Sequence, residues 1–204
     1  MPLKSNVRRL KALVVELVWP SYLYLPSYVG ALERGWSPDN ERGTAAARDE
    51  LERISTDHVA FIDSMVDREA KGPPVTLPDG SVVARLPGYR RWLWDGEFCG
   101  SIGFRWSPGT TDLPPHCLGH IGYAVVPWKQ GKGYATQALR LLLIDIKSEG
   151  LPFVEITTDP KNIASQRVIE TNGGTLLEKF TKPAQFGSKP GLRYRILLAE
   201  NAGA

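Results

Sequence analysis

The chain has 204 residues, of which 42% are hydrophobic and 23% are charged, and its formal net charge is +3. That length and apolar content suit one soluble domain with a core of its own, and the lysines and arginines are too dispersed for a nucleic-acid-binding stripe. The cysteines Cys99 and Cys117 form neither a disulfide framework nor a metal-ligand spacing. We therefore expect a cytoplasmic protein with no nucleic-acid partner and no metal site.

The N-terminal part of the sequence predicts a strand followed by a long helix. Leu13–Val18 is apolar and rich in β-branched residues, which favours a strand. The apolar run around it is too short to span a bilayer, so no membrane association is expected. Pro20 and Pro26 are expected to break the chain. Apolar residues then recur at three- and four-residue steps over Thr44–Ala70, which predicts one helix with His58 packed on its buried face.

The rest of the chain predicts a β-hairpin and then alternating strands and helices. Two apolar runs, Tyr89–Trp94 and Glu97–Trp106, are joined by Asp95-Gly96, a dipeptide that favours tight turns. The later predicted elements are a strand at Leu118–Val126, a helix at Ala135–Ser148, a strand at Phe153–Thr158, a helix capped by Asp159 with Pro160 as its first residue, and strands at Thr175–Phe180 and Arg193–Leu198. This order predicts an α/β (α+β) fold in which helices pack on a mixed sheet.

A glycine-rich turn between a strand and a helix carries the chemical signal of the sequence. The first amides of a helix lack intrahelical partners, and the helix dipole adds positive charge at that end. Gly131 and Gly133 let the backbone approach a phosphate closely. Lys129 and Lys132 add formal charge. The segment therefore predicts a site for a pyrophosphate.

Other interpretations of this turn are weaker. A Gly-x-Gly before a helix is often only a tight turn. A dinucleotide-binding loop needs a further glycine, but position 136 is threonine. The Gly-Lys-Ser/Thr of an ATP-binding P-loop is absent.

The segment resembles motif A of the GNAT N-acetyltransferase superfamily, Gln/Arg-x-x-Gly-x-Gly/Ala, in its residues Gln130, Gly133 and Ala135. The Val125-Val126-Pro127 stretch matches the end of the strand that precedes this motif. A second family motif, a strand, a turn and a helix that begins near an asparagine, is matched by 155–174. Its Asn-x-x-Ser-x-Arg-Val form is similar to the branch that includes ribosomal-protein N-terminal acetyltransferases.

The resemblance is strong over 88–198, the hairpin and cofactor-binding core, and loose over 1–87. We therefore expect a single GNAT-like domain over 1–204. The implied fold is a mostly antiparallel mixed sheet with a splayed central pair of parallel strands, Leu118–Val126 and Phe153–Thr158, flanked by helices.

The implied activity is transfer of an acetyl group from acetyl-CoA to a primary amine by direct attack. The acceptor, a small molecule or a protein N-terminus, stays undecided, as do another acyl donor such as succinyl-CoA and the choice between monomer and homodimer. A backbone amide, that of Val125 or Val126, is implied to hold the oxyanion. The residues implied to bind acetyl-CoA are Val125, Val126, Gln130, Gly131, Lys132, Gly133, Tyr134, Ala135, Asn162 and Ser165.

The acid of the reaction is where the sequence departs from the family pattern. Many members carry a tyrosine six residues after the asparagine of the second motif, as the acid that protonates the thiolate. Here that position is Val168. Ser165 is then the candidate catalytic acid, with cofactor binding or helix capping as its alternative role. The departure also leaves open a non-catalytic sensor that only binds acyl-CoA.

The base is not determined by the sequence. Side chains alternate along a strand, so His120 is expected on the face opposite to Tyr123 and Val125, unless a bulge near Val125 breaks the count. We therefore predict that His120 is not the base. Glu97 and Glu155 are further candidates, but each is expected to be an ordinary solvated or paired carboxylate.

Overall fold

The computed structural model of the protein describes residues 14–39, 42–77 and 79–198. Its helices are α1 (Leu25–Glu33), α2 (Thr44–Thr56), α3 (His58–Asp63), α4 (Tyr134–Asp145) and α5 (Ile163–Thr171). Its strands are β1 (Glu16–Val18), β2 (Val66–Asp67), β3 (Val75–Thr76), β4 (Val82–Val83), β5 (Gly88–Trp94), β6 (Phe98–Arg105), β7 (Ile121–Val125), β8 (Phe153–Thr158), β9 (Thr175–Thr181) and β10 (Pro190–Leu197). Among the described residues, no helix is both long and apolar enough to cross a membrane.

Two antiparallel sheets form the centre of the fold. The first has the order β1-β5-β6-β7, with β2 also paired to β5, and the second has the order β8-β10-β9. Strands β3 and β4 form a separate small hairpin. The sheets meet at β7 and β8, the two strands that α4 connects, and this is the pair that was expected to splay. The predicted fold class is confirmed.

Each face of the first sheet packs against helices. On one face, α4 contributes Ala138, Leu139 and Leu142 to the main core, which also takes in buried residues of the second sheet. On the other face, α1 to α3 pack on the hairpin around Tyr28, whose ring stacks on Trp92 at a centroid distance of 4.5 Å. Because both layers cover one sheet, the N-terminal helices share a core with the strands that lead to the glycine-rich turn.

The prediction for the hairpin is confirmed. Strands β5 and β6 pair on either side of Asp95-Gly96, with a register shift between Leu93 and Trp94. Cys99 and Cys117 are buried and form no disulfide.

Three predictions for the N-terminal half are wrong in detail. The expected long helix is divided at Asp57, which is extended and whose carboxylate instead caps α3 by accepting a hydrogen bond from the Ala60 amide. His58 is exposed and meets the ring of Tyr22 edge-on. Pro26 does not break the chain but lies in the first turn of α1, where its missing N–H costs nothing. Of the expected strand Leu13–Val18, Glu16–Val18 forms β1, and Leu13 lies outside the described residues.

Gly100 lets β6 and β7 lie close together at the end of β7. Its φ is +151°, and it pairs with Val125. A Cβ at this position would overlap the Ala124 carbonyl oxygen and lie 2.9 Å from Val125 Cα. Only glycine avoids both the clash and the backbone strain.

We predict that Gly100→Ala lowers the free energy of unfolding by about 2 kcal/mol or more, because strain and overlap with backbone atoms act together. Gly103→Ala is the matched control on the same strand, since a Cβ there would meet only Tyr89 O at an ordinary 3.5 Å. Urea denaturation of the two variants measures the difference. Equal losses of stability would show that the backbone at Gly100 adapts to a side chain.

Candidate functional site

The glycine-rich turn has the local geometry that an anion requires. After β7, a single 3-10 turn at Pro127–Lys129 leads into the exposed segment 130–133, and α4 begins at Tyr134. Gly131 and Gly133 have φ values of +74° and +78°, the left-handed conformation that glycine adopts without strain. Gly133 is the N-cap and has no side chain to cover the first amides of α4. Those amides and the positive end of the helix dipole are therefore accessible to an anion.

A buried network ties this turn to the hairpin. The Asp95 carboxylate, in the hairpin turn, accepts hydrogen bonds from Lys129 Nζ at 2.6 Å and from Tyr134 Oη at 2.5 Å. Lys129 Nζ also lies 2.7 Å from Glu97 Oε1, and the Lys129 side chain is only 7% exposed. The ammonium is therefore neutralised inside the protein. The expectation that Lys129 adds charge for a phosphate is wrong; of the two lysines at this turn, Lys132 is the exposed one.

The network changes the acidity of its members. Burial alone would raise the pKa of Asp95, but the hydrogen bonds from Lys129 and Tyr134 lower it to about 2. Burial and the hydrogen bond to Asp95 raise the pKa of Tyr134 to about 12. Near neutral pH the carboxylate is charged and the phenol is neutral, so each hydrogen bond keeps its donor and its acceptor.

The edge of β7 that faces β8 is open. The two strands are joined by the His120 amide, which donates to Glu155 O at 2.8 Å, and within the described chain no ladder pairs β7 with β8. On its other edge β7 bonds β6: the Arg105 amide donates to His120 O and the Val126 amide donates to Cys99 O, each at 2.9 Å. Hydrogen-bonded residues alternate along an antiparallel pair.

This alternation directs the backbone groups of Tyr123 and Val125 toward the gap. Accordingly, Val125 O accepts a hydrogen bond from the side chain of Gln130 at 3.2 Å. The Val126 amide is occupied by Cys99 O, so the expectation that it holds an oxyanion is not supported. The Val125 amide is left as the candidate for that role.

The other wall of the gap is the start of α5, and the prediction of its first residues is wrong. The N-cap is Asn162, whose Oδ1 accepts from the Ser165 amide at 3.0 Å, rather than Asp159. Asp159 instead accepts a hydrogen bond from the Lys161 amide at 2.7 Å. Ser165 Oγ lies 2.9 Å from Tyr123 Oη, a contact that links α5 to β7.

Tyr123 is the side chain of the site that sequence reasoning missed. In the sequence it served only to define the face of the strand opposite to His120. Its alternation with Val125 was the available signal, because it places both residues on the face toward α5. Val168, at the position where the family pattern has tyrosine, is a partly buried residue packed against the main core.

The three candidate bases are all engaged. The β6–β7 register has no shift from Ile121 to Val125. His120 lies just before β7, and its ring is held against the backbone of Glu155 on β8. His120 Nδ1 accepts from the Glu155 amide at 3.0 Å, and burial lowers the pKa of the ring. Burial alone would raise the pKa of Glu155, but hydrogen bonds from Arg195 and Arg193 hold it below its usual range. Glu155 and Glu97 are thus paired carboxylates, as expected.

Comparison with known proteins identifies the fold and the domain. Residues 80–175 match the family model described as "Acetyltransferase (GNAT) domain". No curated protein matches by sequence.

Several solved structures are similar over nearly their whole length. A microcin self-immunity acetyltransferase, MccE, in complex with acetyl-CoA and AMP has 16% identity and a TM-score of 0.56, over 90% of this chain and 92% of that one. A ribosomal-protein alpha-N-acetyltransferase, RimL, in complex with coenzyme A has 14% identity and a TM-score of 0.57, over 90% and 94%. A GNAT-family acetyltransferase from Bacillus anthracis has 18% identity and a TM-score of 0.55, over 92% and 96%.

We predict that Asp95→Asn lowers the free energy of unfolding by about 3 kcal/mol near neutral pH, because it leaves the Lys129 ammonium buried beside one carboxylate fewer. Asp95 has a folded pKa of about 2, below its unfolded value of ~3.9. Its stabilisation is therefore complete above the unfolded pKa and is lost as the pH falls toward the folded pKa. Denaturant unfolding should show that the difference in free energy of unfolding between wild type and variant shrinks as the pH falls from about 4 to about 2.

Glu97→Gln is the control for this prediction. Glu97 binds the same ammonium, but its side chain is 59% exposed, so solvent screens the pair and the loss should stay below about 1 kcal/mol. Equal losses of unfolding free energy in the two variants would contradict the assigned role of Asp95. So would a difference between wild type and Asp95→Asn that does not depend on pH.

Proposed function

We propose that this chain, which matches the GNAT acetyltransferase domain over 80–175, transfers the acetyl group of acetyl-CoA to a primary amine. The observation that carries the proposal is the juxtaposition of the uncapped start of α4 with the open edge of β7. The first is suited to a pyrophosphate, and the second offers backbone groups to an extended, amide-containing arm. A ligand that has both parts, as acetyl-CoA does, fits this arrangement.

We assign the cofactor contacts as follows. The amides from Gly131 to Ala135, including that of Tyr134, hold the pyrophosphate, with Lys132 adding positive charge and Gln130 bordering the turn. The pantetheine arm runs along the β7 side beside Val125. Val126 does not pair with it, because its amide donates to Cys99 O and its carbonyl oxygen accepts from the Lys129 amide. Asn162 and Ser165 contact the arm from the start of α5. When bound, acetyl-CoA supplies the activated acyl thioester.

The residues of the chain then contribute mainly positioning and electrostatic stabilisation. The amine attacks the thioester carbon directly, and the Val125 amide donates a hydrogen bond to the oxygen that becomes negative. Ser165 is the residue that the sequence offers as the acid for the leaving thiolate.

Water is the proposed proton acceptor, because the candidate side chains are engaged. Neutral His120 carries its ring proton on Nε2, since Nδ1 already accepts the Glu155 amide. It therefore has no nitrogen ready to take another proton. Glu155 is bonded to Arg193 at 2.9 Å and to Arg195 at 2.6 Å, which makes it a weak base.

The acceptor is proposed as a small-molecule amine or a protein N-terminus, and the enzyme as a cytoplasmic single domain over 1–204. The shared core of α1 to α3 and the hairpin supports one domain rather than two. The buried unpaired thiols Cys99 and Cys117 suit a reducing compartment. A non-catalytic acyl-CoA sensor is the second candidate, favoured by Val168 in place of a hydroxyl-bearing residue.

Acetyl-CoA should raise the melting temperature of the protein, because a ligand that binds only the folded state stabilises it by mass action. Gly133→Val should abolish that rise, since a side chain there would cover the amides at the start of α4. Gly150→Val is the matched control: Gly150 has a similar φ of +73° but lies beyond the far end of α4. A Gly133→Val protein that binds acetyl-CoA like wild type would show that the loop is not the pyrophosphate site.

The enzyme and sensor hypotheses differ in turnover. We expect acetyl-CoA and a panel of small-molecule amines and peptides with free N-termini to release free thiol at a rate that depends on the amine. Binding of acetyl-CoA without thiol release for any amine would favour the sensor. Release at equal rates with and without amine would indicate hydrolysis and contradict amine transfer.

A further inference from the structure

Tyr123 lies between β7 and α5, beside the gap in which the proposed function places the pantetheine arm. Tyr123 lies two residues before Val125 on the same face of β7. It is therefore about 7 Å further along the strand from the pyrophosphate turn than Val125 is. Its side chain is half-buried and reaches the first turn of α5, where Ser165 Oγ lies 2.9 Å from its hydroxyl. An arm that runs from the turn along β7 therefore meets this phenol after it passes the Val125 amide.

The hydrogen bonds assign a direction to the pair. Tyr123 Oη also lies 3.3 Å from the Ser165 carbonyl oxygen, which can only accept, so the phenol proton points there at rest. When the phenol donates there, the Ser165 hydroxyl is the donor of the 2.9 Å contact with Tyr123 Oη. The Ser165 hydroxyl thus donates its hydrogen bond to the phenol. The phenol proton remains available to an acceptor stronger than the Ser165 carbonyl oxygen.

We propose that Tyr123 donates a hydrogen bond to the thiolate sulfur that leaves in the acetyl transfer, and that Ser165 is a positioning residue that orients and polarises this phenol. The inference rests on the proposed function and changes its acid. As the carbon–nitrogen bond forms, the carbon–sulfur bond breaks and its electron pair goes to sulfur. The nitrogen releases its proton to water, and the thiolate later takes one from water. The phenol keeps its own proton throughout.

The acidities favour donation of a hydrogen bond over complete proton transfer. Burial raises the pKa of Tyr123 to about 12, against the opposing effect of the Ser165 hydrogen bond. A thiol has a pKa of ~8.5, so the proton is held more firmly by the phenol than by the thiolate. A hydrogen bond to a charged acceptor nevertheless changes an equilibrium or a rate by about tenfold to hundredfold.

The direct test is the pKa of the thiol of bound coenzyme A. It is measured by ultraviolet titration of the thiolate from pH about 6 to about 10, with the complex of a coenzyme A analogue that lacks the thiol as the blank. A donor to sulfur stabilises the thiolate, so Tyr123→Phe should raise the bound thiol pKa by about one unit and lower kcat about tenfold to hundredfold, with little change in the Kd for coenzyme A. Ser165→Ala should raise that pKa less, and Ser165→Thr, which keeps a hydroxyl, should restore it.

Tyr194→Phe is the matched control, because it removes the hydroxyl of a buried tyrosine that bonds Glu170 at 3.1 Å, in the last turn of α5 and away from Ser165 in its first turn. It should leave the bound thiol pKa unchanged. An unchanged pKa in Tyr123→Phe, or a larger rise in Ser165→Ala than in Tyr123→Phe, would overturn the inference. If Tyr123→Phe does not fold, an unchanged pKa in Ser165→Ala overturns it. Wild-type protein that binds no coenzyme A contradicts the proposed function itself.

Discussion

The hydrogen bond from the His120 amide to Glu155 O is the point at which the two sheets of this protein are joined. Beyond this hydrogen bond, β7 and β8 do not pair but separate. The backbone groups of Tyr123 and Val125 that point away from β6 therefore face a gap. Backbone amides and carbonyls without partners are costly where water is excluded. A gap between strands is therefore stable only if water or a ligand with amide groups of its own can occupy it. The proposed binding of a pantetheine arm satisfies this constraint.

The glycine-rich turn has to be held at one end of that gap, and its own sequence does little to hold it. Two glycines in left-handed conformations give access to the amides of α4 but no side-chain contacts. The Asp95 network provides those contacts from the hairpin, by fixing Lys129 before the turn and Tyr134 after it. Gly100 brings the same hairpin against the end of β7. The position of the turn is therefore set by residues more than thirty positions earlier in the chain.

The sequence predicted the elements whose signals are local and repeated. The hairpin around Asp95-Gly96, the strand β8 and the helix α4 were identified because turn residues and apolar periodicity agreed over several residues. Single capping positions were less reliable. Asp159 before Pro160 and Asn162 both satisfy the N-cap rule, and only the Ser165 amide decides between them. Likewise, no local pattern distinguishes the interruption at Asp57 from an exposed helical position.

The errors at the site have a different physical origin. A lysine beside a phosphate-binding turn is normally exposed, and the burial of Lys129 depends on an aspartate that lies far away in sequence. Tyr123 was overlooked because its contact with Ser165 depends on how α5 packs against β7. The family pattern directed attention to position 168 instead. Local rules therefore located the pyrophosphate turn, whereas tertiary contacts were needed to define its surroundings.

Hydrogen exchange of the backbone amides, with and without coenzyme A, tests the central claim that the turn and the gap form one binding site. The account predicts ligand-dependent protection of Val125 and of the amides from Gly131 to Thr136, with no change along the outer strand β9. Protection of the turn alone would separate phosphate binding from occupation of the gap. Protection confined to other parts of the chain would contradict the account.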